Sequence, residues 1–264
     1  MNRRTFIRHS IVATAATTAV AASPLAKIVE GHHNINAATA YGAAPVLAAT
    51  ARRPLSAVGG FTFARLRYES GNWDADPKMP SNLLNSLVEY TSIRVDPNEH
   101  IVDAHANTLF NYPFIYMTGN KLVRFTEKER TNLRQYLRNG GFMFVDDCNH
   151  DLDGTFAKTF ESEIKTVLDQ PSETMRKLSA QHPLYHTFFK FPDGAPTTSH
   201  ELNGWGDDIV HDYLRAIDVD NRIAVLYSNK DYGCEWNYDW ENKRFATKDN
   251  TRFGVNIIVY ALTH

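Results

Sequence analysis

Residues 125–150 read FTEKERTNLRQYLRNGGFMFVDDCNH, a helix signal followed at once by a strand signal. Thr126 is suited to an N-cap, and Glu129, three residues on, completes a capping box. Leu133, Tyr136 and Leu137 recur at helical spacing, which predicts a helix over Glu127 to Asn139 with one buried stripe. Gly140 suits the left-handed cap that would end it. Phe142-Met143-Phe144-Val145 is a continuous apolar run, the pattern of a parallel strand covered on both faces. It stops at Asp146-Asp147.

Upstream, Phe114-Ile115-Tyr116-Met117 enters through Pro113 and ends at Gly119, a second strand. Strand, helix and strand in that order need a crossover connection. Phe61 to Arg67 reads as a first strand, followed by a polar loop with Tyr68, Gly71, Trp73, Asp74 and Pro80. Ser81 or Asn82 then caps a helix holding Leu83, Leu84, Leu87 and Val88. Ile101 to Ala104 is a short apolar segment. Downstream, Arg222 to Ser228 is a late strand and Gly254 to Leu262 a closing helix. This alternation predicts an open α/β sheet over 59–264.

The chain has 264 residues, 28 Lys plus Arg against 30 Asp plus Glu, and 43% hydrophobic residues. Such a composition belongs to a folded protein, not to a disordered or collagen-like one. Residues 1–22 carry Arg3-Arg4, then Phe6 and Arg8, then an uncharged Ala/Thr/Val run from Ile11 to Ala22. This reads as an export signal of the twin-arginine type. The run is shorter than the roughly 20 residues that span a bilayer, so no membrane span is expected in the mature chain. Residues 23–58 form an Ala-rich linker or arm, and His32-His33 within it reads as a solvated pair. Loss of Arg3, Arg4 and Arg8 moves the formal charge from −2 to −5. An acidic chain lacks the basic footprint of a nucleic-acid binder. The expected location is the periplasm or another exported compartment.

In open α/β sheets, ligands sit outside the carboxyl ends of the strands. That rule selects three loops: Tyr68 to Asp74, Asp146 to His150 and Asn229 to Trp236. Asp146 and Asp147 are adjacent in an extended segment, so their side chains point to opposite faces. One could face the cleft while the other caps a turn; capping and loop closure would use both equally well. Cys148 stands where a nucleophile elbow would be, but no glycine flanks it. A disulfide between Cys148 and Cys234 stays open. His182 and His186 have the i, i+4 spacing that on a helix would suit a transition metal, and two hydrogen-bonded structural histidines would fit as well. Trp205, Trp236 and Trp240, near Asp207, Asp208, Asp239 and Glu241, could stack on a sugar ring or pack in a core. No P-loop, dinucleotide fingerprint, Cys-x-x-Cys pair or Ser elbow is present, so no cofactor is identified.

Several blocks together resemble one family. They are FTFARLRYESGNWD at 61–74, YPFIYMTGN at 112–120, the 125–150 block, HPLYHTFF at 182–189, DYGCEW at 231–236 and GVNIIVYALTH at 254–264. From about Gly60 to His264 the chain resembles the domain-of-unknown-function family 4159 of exported bacterial proteins. That family is similar to class I glutamine amidotransferase-like domains, which implies a flavodoxin-like, mostly parallel sheet with helices on both faces. The Gly-x-Cys-x-Gly elbow of that superfamily is replaced here by Asp146-Asp147-Cys148. Family members are associated with cell-envelope gene sets.

The resemblance with a missing elbow implies a binding module. Its expected partners are a small molecule, a glycan or an envelope protein. Its contact surface is drawn from Arg67, Tyr68, Trp73, Asp74, Asp146, Asp147, Cys148, His150, Glu235 and Trp236. A hydrolase of envelope or carbohydrate substrates is the alternative, with Asp147 or Glu235 as general base and His182 or His186 as acid or metal ligand. A structural subunit of an envelope complex is the third reading.

Overall fold

The computed structural model describes residues 60–169, 175–203, 209–237 and 247–264. The expected export signal, the Ala-rich arm with His32-His33, and Trp205, Asp207, Asp208, Asp239, Trp240 and Glu241 lie outside the described residues.

In chain order the elements are β1 (Ala64–Arg67), α1 (Met79–Tyr90), β2 (His100–Asp103), β3 (Phe114–Gly119), α2 (Glu127–Arg138), β4 (Phe142–Asp147), α3 (Thr155–Leu168), β5 (Arg176–Lys177), α4 (Ser199–Leu202), β6 (Arg215–Val219), β7 (Arg222–Ser228), α5 (Tyr232–Asn237) and α6 (Thr247–Thr263). The strands form one sheet in the order β2-β1-β3-β4-β7-β6-β5. The first five run parallel, while β6 is antiparallel to β7 and β5 antiparallel to β6. The α/β sheet expected from the alternation is therefore mixed. Its antiparallel part comes from a hairpin turned by Asp220 and Asn221, with φ of 52° and 60°. Two consecutive left-handed residues match the right-handed twist of the flanking strands.

β3 and β4 are buried at every position. The period of two sends Ile115, Met117, Met143 and Val145 to one face, against Leu133, Tyr136 and Leu137 of α2 and Phe156, Phe160 and Ile164 of α3. Phe114, Tyr116, Phe142 and Phe144 go to the other, against Leu83 and Leu87 of α1, Trp236 of α5 and Phe253, Ile257 and Ile258 of α6. Removing one such buried aromatic, Phe144→Ala, would cost about 3–5 kcal/mol. Two covered faces leave the strand ends as the natural place for a cleft.

The capping box of Thr126 and Glu129 is present, and Gly140 has φ +97°. Four local expectations are corrected. The regular part of the first strand starts at Ala64; Phe61 makes an isolated bridge to Val95. Neither Ser81 nor Asn82 caps α1, because Pro80 lies in the first turn, where its missing N–H has no helical partner to lose. The closing helix begins at Thr247 rather than Gly254. His182 and His186 do not share a helix face: Pro183–Tyr185 is a single 3-10 turn. Among the described residues, no helix is long and apolar enough to cross a membrane.

Candidate functional site

The ladder register sets the floor of the site. Asp146 lies opposite Thr118 of β3 on one side and Ser228 of β7 on the other. Its Oδ2 accepts the Gly233 backbone N–H at 2.5 Å, so it faces the side carrying α5. Asp147 leaves by the opposite face, where its carboxylate accepts from Tyr227 Oη at 2.8 Å and Asn149 N at 2.9 Å.

Above Asp146, three loops converge. Asp76 comes from the connection between β1 and α1. The buried Arg65 side chain holds that connection: Nη1 donates to Ala75 O at 2.5 Å, Nη2 to Asp76 O at 3.2 Å, and Nε to Glu99 at 2.9 Å. Asp76 thereby sits at φ 57°. Its Oδ1 lies 3.4 Å from Cys234 Sγ and its Oδ2 3.8 Å from Cys148 Sγ. Cys148 Sγ is also 3.0 Å from Thr118 Oγ1. From the loop after β7, Asp231 (φ 55°) places Oδ2 3.3 Å from His200 Nε2. The donor atoms of His200, Asp231 and Cys234 all lie within 4.8 Å of one another, and so do those of Asp76, Cys148 and Asp231. Both cysteines are free thiols, so the disulfide left open by the sequence is absent.

This group is acidic and poorly compensated. Burial raises the Asp146 carboxyl to about 7, and the Gly233 amide only partly offsets that. Burial, reinforced by the charges of Asp146 and Asp76, pushes Asp231 well above the carboxylate range. Asp76 is raised by burial too. Burial raises both thiols, with the neighbouring carboxylates adding to it. His200 is lowered, chiefly by burial. The nearby Lys230 ammonium supplies no counter-charge, because it is engaged by both Glu201 oxygens at 2.6 and 2.7 Å. Among the described residues, Asp231 Oδ1, Asp146 Oδ1 and Tyr116 Oη are buried without a hydrogen-bond partner.

Of the residues singled out from sequence, Asp146 and Cys148 belong to this group. Trp236 lines the floor beside it: its ring packs on Tyr232 and Phe144, and Nε1 donates to Asn250 O at 2.9 Å. Glu235 belongs to neither donor triad: it accepts the Ser199 amide at 2.5 Å, and its charge acts on His200 from there. His150, at φ 48°, is buried with its ring nitrogens on Asn229 O and Ile209 O. Tyr68 is a core residue donating to Thr118 O at 2.9 Å. Arg67 pairs with Asp103 and lies over the Trp73 ring, and Asp74 is exposed. His182 packs on Tyr260 and accepts the Leu184 amide, whereas exposed His186 contacts Ala180 O at 2.8 Å. Asp147, Glu235, His182 and His186 therefore do not converge. The residues that do converge and were not assigned to a site are Asp76, His200, Asp231 and Cys234. The strand-end rule reaches the loops of Asp231 and Cys234 and stops two residues short of Asp76; no local pattern marks His200.

Gly233 completes the cradle. A Cβ there would lie 2.6 Å from Asp76 Oδ2 and 2.7 Å from Tyr116 Oη. The site needs a glycine for close approach, not for a special φ.

No curated protein matches this chain. A family model does: that of the Domain of unknown function (DUF4159), over residues 62–262, nearly the whole of the α/β domain, and the chain belongs to that family.

Proposed function

We propose that this is an exported, envelope-associated domain of amidotransferase-like, flavodoxin-like type that binds a ligand at the carboxyl ends of its strands without amidotransferase chemistry. The strand order β2-β1-β3-β4-β7 supports the fold reading, because it repeats the 2-1-3-4-5 order of flavodoxin-like sheets. In such sheets the ligand crevice lies at the strand carboxyl ends, where Asp76, Asp146, Cys148 and Asp231 meet.

One observation carries the absence of amidotransferase chemistry. Cys148 Sγ faces a hydroxyl at 3.0 Å and the Asp76 carboxylate at 3.8 Å. A nucleophilic thiol needs the reverse, a cationic or imidazole neighbour that lowers its pKa. Here burial and Asp231 raise it. The test is to incubate the pure protein with glutamine and with simple chromogenic esters, amides and glycosides. No turnover is expected. Turnover that Cys148→Ser or Asp147→Ala abolishes would refute the reading.

Export is tested separately. Residues 1–58 fused to a reporter should carry it out of the cytoplasm, and Arg3→Lys with Arg4→Lys should stop that. Retention of the unmodified fusion in the cytoplasm would refute the export part.

A further inference from the structure

The donor set in the cleft has a definite chemical character. It offers two thiols, one imidazole and two carboxylates, drawn from the loop before α1, the end of β4, α4 and the start of α5. Magnesium and calcium prefer oxygen-only sites, so the sulfur atoms are wrong for them. Iron–sulfur clusters need about four thiolates, and the chain has two cysteines. Mixed sulfur, nitrogen and oxygen donors suit zinc and its borderline-soft neighbours.

A second observation points to an occupant. Asp231 is 1% exposed, and among the described residues its Oδ1 has no hydrogen-bond partner. Buried carboxylates normally find a donor or a cation. Asp76, Asp146 and Asp231 lie close enough to repel one another, while Lys230 is engaged by Glu201 and Arg65 by Glu99 and backbone carbonyls. Burial and mutual repulsion raise these carboxyls toward the neutral form, and a bound cation is what would favour their ionised form.

We propose that His200, Asp231 and Cys234 bind one divalent transition-metal ion of the zinc class, with Asp76 and Cys148, which form the second triad on Asp231, as the further donors beside it. Asp231 is common to both donor triads, and Asp76 reaches both thiols, Cys234 through Oδ1 and Cys148 through Oδ2. Asp146 is held by the Gly233 amide and lies behind the site as a charge neighbour. Each thiol that ligates gives its proton to solvent, so binding releases protons. The inference rests on the reading of this cleft as a binding site and names its ligand.

The test uses the full chain stripped with a chelator. Zinc should bind at one ion per chain. Cobalt(II) alone should give thiolate-to-metal charge-transfer absorption that zinc abolishes. Both thiols should react with a thiol reagent in the stripped protein and be protected after zinc is added. His200→Ala and Cys234→Ser should each weaken zinc binding by at least about 100-fold, since even outer partners of a metal cost up to that factor. His182→Ala and His186→Ala should leave it unchanged. If a site variant fails to fold, the cobalt spectrum and thiol protection of the unaltered chain decide. No uptake, cobalt binding without the thiolate band, unchanged affinity in the site variants, or loss in the His182 and His186 variants would overturn the inference. Uptake without turnover upholds both proposals. Turnover that requires the ion overturns only the non-enzymatic reading, and no uptake with no turnover overturns only the metal site.

Discussion

Asp146 and Asp147 are adjacent in the chain and serve opposite faces of the sheet: one accepts the Gly233 amide beside the cleft, the other the Tyr227 hydroxyl beneath α3. Both carboxyls are buried, and burial raises them from 3.8 to about 7 and about 6. The folded state then keeps protons that the unfolded chain gives up. Their stabilising contribution is full below pH 3.8 and is lost as pH rises through the folded values. Chelator-treated protein should therefore become less stable between about pH 4 and 7, by at most about 1.4 kcal/mol per pH unit for each carboxyl. Urea titrations across that range measure it. Asp147→Asn should flatten the slope, and an unchanged slope would refute the assignment.

Gly233→Ala places a methyl group against Asp76 and the Tyr116 hydroxyl. Overpacking of this kind costs about 1–3 kcal/mol. The larger effect should fall on zinc binding, because Asp76 must move to admit the methyl. Thermal melts with and without zinc separate the two: the zinc-induced rise in Tm should shrink far more than the stripped Tm falls.

Arg65 is a positioning residue for Asp76: it hydrogen-bonds the backbone carbonyls of Ala75 and Asp76, and its charge acts on the Asp76 carboxyl. Arg65→Met keeps the apolar stem and leaves Ala75 O, Asp76 O and Glu99 without their donor. Hydrogen bonds to charged groups contribute about 1.5–3 kcal/mol each. Zinc affinity should fall in Arg65→Met while the cobalt spectrum of the saturated protein keeps its shape. A changed spectrum would mean that the ligand set itself had been altered.

Lys230 and Glu201 form an ion pair with both side chains at 0% exposure. Glu201 also accepts the amides of Thr198 and His211. Lys230→Met strands that carboxylate, and breaking such a pair costs about 3–5 kcal/mol. Adding Glu201→Gln should recover part of the loss, since the amide still accepts one backbone N–H. Denaturant midpoints of the two variants check this, and equal midpoints would contradict it.

The parts of the fold visible in sequence are those made by local signals. Thr126, Glu129 and Gly140 mark the bounds of α2, and the apolar run at 142–145 marks β4, because caps and strand burial act within a few residues. The hairpin at Asp220-Asn221 is equally local, but it lacks the glycine that usually marks such a turn in a sequence. The site is less legible. The strand-end rule finds its loops, but which side chain turns inward depends on left-handed backbone at Asp76 and Asp231 and on Arg65 reaching three carbonyls. Neither leaves a pattern in the chain. His182 and His186 mislead for the converse reason: their spacing suits a helix, and Pro183 opens a single 3-10 turn instead.

Asp76 and Cys234 touch across 158 residues of chain, and Asp76 and Cys148 across 72. The site cannot form in a fragment that lacks any of these strands, since its parts come together only after β1, β3, β4 and β7 lie side by side. An occupant gripping both ends would act as a clasp on a long loop. The entropy it removes from the unfolded chain grows with the logarithm of loop length. Loading would thus come last in assembly and would mark a chain that has finished folding.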